Sequence, residues 1–296
     1  MVSPQAPPSW RSFGWGLLSA FCWGLSFVGI RVALEGLTPY GLVWTRLLLG
    51  AGVLYGLMAA GGRRLLPARG DRLRCALLGL LDSAHLLIQS VAMEHTTAIR
   101  AGWIVAFIPV VVAIGARLFL AERLSPGGWL GVGTATVGVL VLTSFRPGEL
   151  ADAGLGDLLV FASCFTWAAY TLISVTAIRR NGAVVVAASA MAVAVLPALP
   201  VALAIGTWHA PPTWRTLAAL GFLGVLANGV GFWSFGRSIQ ALGAQRTSAF
   251  QYIQPFITLA GSALLLAEPF TLTGMAGGAL VLLGVWRVQR ARIRGA

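Results

Sequence analysis

Apolar runs of about twenty residues, separated by short breaks rich in Arg, Gly, Pro and acidic residues, recur along nearly the whole chain. A bilayer core of about 30 Å takes about 20 residues of helix. Ten such runs are legible, at about 13–34, 38–60, 73–93, 97–120, 127–144, 155–178, 183–206, 214–238, 244–266 and 273–288. The pattern predicts an all-α integral membrane protein with ten transmembrane helices. It divides the chain into a tail (1–12), a five-span unit (13–144), a linker (145–154), a second five-span unit (155–288) and a basic tail (289–296). The first residues, with Pro4, Pro7 and Pro8 and no basic head, read as a short tail and not a cleaved leader.

The two units share a register. Ala98, Arg100, Pro109, Gly115, Leu118, Leu120, Ala121, Glu122, Gly128, Gly131 and Gly138 are spaced as Ala244, Arg246, Pro255, Gly261, Leu264, Leu266, Ala267, Glu268, Gly274, Gly277 and Gly284. Apolar low-complexity sequence cannot easily imitate a matched register of Arg, Pro and Glu, so the duplication is taken as real. Five spans per unit make the second copy enter the membrane from the opposite side. The expected architecture is therefore two inverted five-helix repeats, the arrangement of secondary transporters with a site near the midplane. Pro109 and Pro255 each remove a backbone N–H and are expected to kink their spans facing inward, where the freed carbonyl can be satisfied. Glu122 and Glu268 mark the corners closing the fourth and ninth spans.

Composition agrees with the lipid setting. The chain has 296 residues, 57% of them hydrophobic and 10% charged, with a mean hydropathy of +0.83. All 21 basic residues are Arg, and most stand at the ends of apolar runs. Retention of arginine on the cytoplasmic side therefore explains the +12 charge better than nucleic acid does. Arg63, Arg64, Arg69, Arg72, Arg74, Arg179, Arg180, Arg290, Arg292 and Arg294 fall on one side. Glu35, Glu94, Glu149, Asp152 and Asp157 fall on the other, with Arg146 and Arg215. Both termini are expected in the cytoplasm of a bacterial cell, with the chain in its inner membrane. Cys22, Cys75 and Cys164 fit no metal motif and read as small core hydrophobes.

Polar residues inside the spans are the candidates for chemistry, because each is expensive in lipid. Asp82, His85 and Gln89 share one face of the third span. Asp82 or His85 is a candidate for proton coupling, or Asp82 forms an internal pair with Arg46. In the repeat register Asp82 aligns with Asn228, and His85 with Gly231. Arg46, about eight residues into the second span, is too deep to snorkel comfortably and could meet a substrate carboxylate. The ninth span carries Thr247, Gln251, Gln254 and Thr258 where the fourth has Ala101, Val105, Ile108 and Val112. Uncharged amides and hydroxyls suit a zwitterionic or neutral ligand, or else bond neighbouring helices. Ser19, Trp23 and Ser26 on one helical face are echoed by Ser163, Trp167 and Tyr170, and could frame a cavity. Arg100 and Arg246 are expected to be structural, donating to exposed carbonyls. Gly127, Gly131, Gly274 and Gly278 form small steps that suit packing within one chain more than a dimer, and no homodimer is assigned.

The two repeats, Trp23 and Trp167, the segment Trp44-Thr45-Arg46-Leu47-Leu48-Leu49, the mid-span prolines and the Leu-Ala-Glu corners resemble the EamA domains of the drug/metabolite transporter superfamily, over about 14–286. The resemblance implies an exporter or exchanger of small metabolites with a central cavity lined by both halves. It favours Trp103 and Trp167 as cavity lining, and aromatic amino acids as substrates. The seventh span lacks a counterpart of Arg46, which departs from a strict repeat.

An intramembrane enzyme is the less favoured class: His85 is the only intramembrane His, and no Gly-x-Ser-Gly is present. No cofactor or metal is expected, since Asp82 and His85 alone do not complete a metal site. A lipid-linked substrate flippase or a passive pore is the closer alternative, although the chain has no ring of like charges to select ions.

Overall fold

A computed structural model describes residues 10–120, 123–142, 154–266, 272–291 and 293–294. The corner residues Glu122 and Glu268 lie outside them, as do Arg146, Glu149 and Asp152. The described chain is almost entirely helical: α1 Trp10–Ala33, α2 Pro39–Ala60, α3 Arg72–Ala92, α4 Ala98–Ile104, α5 Ile108–Phe119, α6 Pro126–Leu142, α7 Leu155–Asn181, α8 Ala183–Ile205, α9 Trp214–Gly221, α10 Phe232–Ala249, α11 Gln254–Leu266 and α12 Leu272–Arg290. Among the described residues, seven helical stretches are long and apolar enough to cross a membrane.

Local sequence sets the ends. Thr38 caps α2 by accepting from Gly41 N at 3.1 Å, with Pro39 in the first turn. Thr97 accepts from Arg100 N at 3.2 Å to start α4, and Thr213 with Thr216 forms a capping box at α9.

The longest apolar stretch, Trp214–Leu265, has 52 residues. Straight, it would reach about 78 Å at the helical rise. Gly243 breaks it with φ 81°, a conformation open to glycine at no steric cost. Ser238 and Thr247, nine residues apart, share a hydrogen bond of 3.0 Å, whereas a continuous helix would separate them by about 13 Å. The chain therefore reverses at Gly243 without a loop.

The fourth predicted span, Ala98–Phe119, is one continuous helical stretch whose middle is tightened. A 3₁₀ turn, Val105–Phe107, separates α4 from α5, and a second, Phe250–Ile253, leads into α11. Pro109 and Pro255 each occupy the second position of the helix that follows. The carbonyl four residues back, which proline cannot serve, is taken by the tighter 3₁₀ bond: Ile108 N donates to Val105 O, and Gln254 N to Gln251 O. Both prolines are buried. Between α9 and α10, residues Phe222–Gly231 form a π-helix.

Cross-links gather the helix ends into two faces. On one, Thr38 donates to Gly206 O at 2.7 Å, Arg31 to Met93 O at 2.9 Å, and Leu37 bridges Trp208. Asp157 there accepts from Thr96 at 2.5 Å and pairs with Arg100. On the other, Asn181 donates to Asp71 at 3.0 Å, Arg74 to Asp71 at 2.6 Å and Arg246 to Ala291 O at 3.0 Å. On this second face β1 (Arg123–Leu124) pairs antiparallel with β2 (Ile293–Arg294). Arg246 thus meets a carbonyl, as expected of it, while Arg100 takes a carboxylate instead. Because α1 ends at the first face, its start at Trp10 lies on the same side as Ala291.

The packing is inside-out relative to a water-soluble protein. Leu264 (84% exposed), Phe119 (77%) and Leu203 (73%) point outward, and lipid rather than water is the medium that suits them. Polar Ser, Gln, Asn and Asp side chains lie within. The pair α6 and α12 is closely packed. A Cβ at Gly131 would come within 2.9 Å of Gly284 O, and one at Gly284 within 2.5 Å of Ala135 N. Gly128 shares that contact and Gly127 does not, so the small-residue stripe is shifted one position from the expected step.

Candidate functional site

A cavity lies where α1, α2, α3, α7, α10 and the two 3₁₀ turns converge. Its polar lining is Arg46, His85, Gln89, Gln251, Gln254 and Ser26. Trp23, Trp167 and Phe232 supply aromatic walls, and Val105 and Ile108 supply one apolar edge.

Each side chain has a local cause for its position. Trp23 donates Nε1 to Ala227 O at 3.0 Å, bonding α1 to the π-helical segment. Trp23 and Trp167 then meet edge to face, with centroids 4.9 Å apart at 84°, a favourable quadrupolar arrangement. His85 lies with Nδ1 3.0 Å from Ser163 O and 3.3 Å from Thr166 Oγ1. A carbonyl can only accept, so Nδ1 carries the hydrogen and Nε2 remains the acceptor. His85 is thereby fixed to α7 and lies against Trp167 at 5.1 Å.

Arg46 is 2% exposed. It donates Nε and Nη2 to Asn228 Oδ1, at 3.1 and 2.8 Å, and Nη1 has no hydrogen-bond partner. The alternative of a pair with Asp82 is not formed: among the described residues no ion pair within 4.0 Å joins them. The partner is instead the amide that the repeat register aligned with Asp82.

The polar stripe of the ninth span divides. Gln251 and Gln254 line the cavity, and Gln251 Nε2 is unpartnered. Thr247 bonds Ser238 across the hairpin, and Thr258 donates to Gly24 O at 2.7 Å, tying α11 to α1. Those two threonines hold helices together.

Two expected residues stand elsewhere. Trp103 is buried in a separate cluster with Ala249 and Tyr252, edge-on to Phe256, and is not part of the lining. Tyr170 stacks on the back of Trp167, with centroids 4.9 Å apart at 8°, and supports that wall without lining the cavity. Phe232 and Phe27 line the site with no advance signal, since apolar residues in an apolar chain carry none. The chemistry on offer is one fixed cation, several neutral amide groups, a ring acceptor and aromatic faces.

The EamA-like transporter family matches residues 10–144 and again 154–288. A probable terminal-alkyne amino-acid exporter of Streptantibioticus cattleyicolor is 29% identical over 283 residues, spanning 93% of each chain. A probable amino-acid metabolite efflux pump of Salmonella typhimurium is 27% identical over 309 residues, covering 94% of this chain and 97% of its own. A solved crystal structure shares the fold with a TM-score of 0.77 at 17% identity, over 95% of this chain and 98% of that one. With both of its halves matched and its helices arranged as described, the chain belongs to the EamA-like transporter family.

Proposed function

We propose that the protein is a ten-span carrier of two inverted repeats that exports or exchanges a small zwitterionic metabolite, an amino acid with an apolar or aromatic side chain, by alternating access. The observation that carries this reading is the site between the halves, where the buried guanidinium of Arg46 stands across from Gln251 and Gln254 beside the walls of Trp23 and Trp167. A carboxylate suits Arg46 Nη1, the uncharged amides suit an ammonium or hydroxyl better than a phosphate, and the indoles suit an apolar side chain. The names of the exporter and efflux relatives support the same class.

Inversion is supported by the packing. Exchanging first-half with second-half elements maps α2 on α8 and α6 on α12 onto themselves. It maps α3 on α8 onto α2 on the π-helical segment, and α1 on α11 onto α5 on α7. The reversal at Gly243 divides the 52-residue stretch, one of the seven, into two spans, and α6 and α12, of 17 and 19 residues, supply the last two. The face with β1 and β2, rich in arginine, is cytoplasmic in this reading, with both termini there, in a bacterial inner membrane. The chain needs no cofactor and performs no covalent chemistry.

The test is flux into proteoliposomes holding the purified protein. Saturable uptake of a labelled amino acid, competed by others and lost in Arg46→Leu, is the expected result. Flux linear in concentration and blind to competitors would make it a pore, and competition by sugar phosphates alone would move the substrate class. Labelling of cysteines placed at residues 2 and 295 should find both on one side of intact cells.

A further inference from the structure

We infer that Asp82 is a proton-binding site whose occupancy decides which half of the molecule holds Arg46. This deepens the carrier reading and rests on it for its part in the transport cycle.

Asp82 is 0% exposed, and neither of its carboxylate oxygens has a hydrogen-bond partner. An ionised carboxylate deep in a bundle is held by paired donors or a directly bonded cation, and among the described residues Asp82 has neither. The groups around it are few. Arg46 of α2 is near enough for its charge to be felt at Asp82. Tyr170 of α7 is stacked on Trp167. Cys75 and His85 share α3 with Asp82, and His85 is committed to Ser163 O. Cys164 of α7 is directed to Ile104 O. Neither α8 nor the π-helical segment contains a titratable residue. Asp71 and Arg74 stand at the end of α3, about 12 Å away or more along the helix.

Asp82 and Asn228 occupy matching positions in the two repeats, and Arg46 is bonded to Asn228 alone. A neutral carboxyl and a carboxamide have nearly the same shape and no net charge, so with Asp82 protonated the halves are alike at this point. Arg46 then bonds the better acceptor, the amide of the opposite half, and ties α2 to the π-helical segment. When the O–H bond of Asp82 breaks, its electron pair stays on the carboxylate and the proton passes to a water molecule. The new anion competes for Arg46, whose Nη1 is unengaged, and both partners now belong to the first half. The tie across the halves is released, and the balance between access states shifts.

Infrared spectroscopy of the full-length protein in lipid tests this without substrate. At neutral pH the wild type should show the C=O stretch of a protonated carboxyl, displaced in heavy water and absent from Asp82→Asn. If Asp82→Asn does not fold, Asn228→Leu should lose the band at neutral pH, because Arg46, deprived of the amide, turns to Asp82. Saturable flux should vary about tenfold across about two pH units in the wild type and less than about twofold in Asp82→Asn. A band unchanged in both variants, equal pH profiles in wild type and Asp82→Asn, or a response to sodium in place of pH would overturn the assignment. Saturable flux without the band overturns the proton site and leaves the carrier. The band without saturable flux does the reverse.

Discussion

The two 3₁₀ turns, Val105–Phe107 and Phe250–Ile253, are the same piece of backbone with different side chains. Each precedes a buried proline at the second position of a new helix, and each hands its spare carbonyl to the same i+3 donor. The first presents Val105 and Ile108 to the cavity, and the second presents Gln251 and Gln254. Duplication fixed the path of the chain, while the polar chemistry accumulated on one copy. The cavity thus has unlike walls on two like pieces of backbone.

That contrast can be attacked from either side. The harshest change strikes what the copies share: Gly131→Leu drives a side chain into Gly284 O at the α6–α12 contact. It should cost about 3 kcal/mol or more, seen as loss of the monodisperse protein after extraction. Arg46→Leu removes the cation and strands Asn228 Oδ1 in the interior. Binding of an amino acid, followed by thermal stabilisation, should weaken about a hundredfold. Converting the second turn to the first, Gln254→Ile or Gln251→Val, should raise KM about fivefold each, about 1 kcal/mol, with the fold intact. Smallest is Thr258→Val, which likewise copies the first repeat. It should lower thermal stability by about 0.6 kcal/mol through the bond to Gly24 O, with KM unchanged. A KM effect at Thr258 as large as at Gln254 would erase the distinction between the polar pair and the structural pair.

Helix positions were legible because lipid enforces them: apolar length, a Thr or Pro at the start and an Arg or Gly at the end leave little choice. The mid-span prolines were legible as breaks. Their form was not, since a chain that lacks an i−4 bond can kink or tighten, and only the neighbouring packing selects 3₁₀. Arg46 was legible as costly, but its acceptor lies 182 residues away. The register that paired Asp82 with Asn228 held that answer without revealing which of the two would be taken. Trp103 shows the other limit: in a chain with 11 tryptophans, an aromatic residue at the right depth can face the cavity or a second helix. The π-helical segment had no advance signal, having neither proline nor a charge at its ends.

The turn at Gly243 carries a practical message for anyone wishing to follow this protein at work. With Ser238 stapled to Thr247 across it, that corner has no slack, and an epitope or fluorophore inserted there would pry two helices apart. The stretch at Gly61 and Gly62, exposed and with open space beside the second glycine, is the place on the same face where a foreign sequence can be carried.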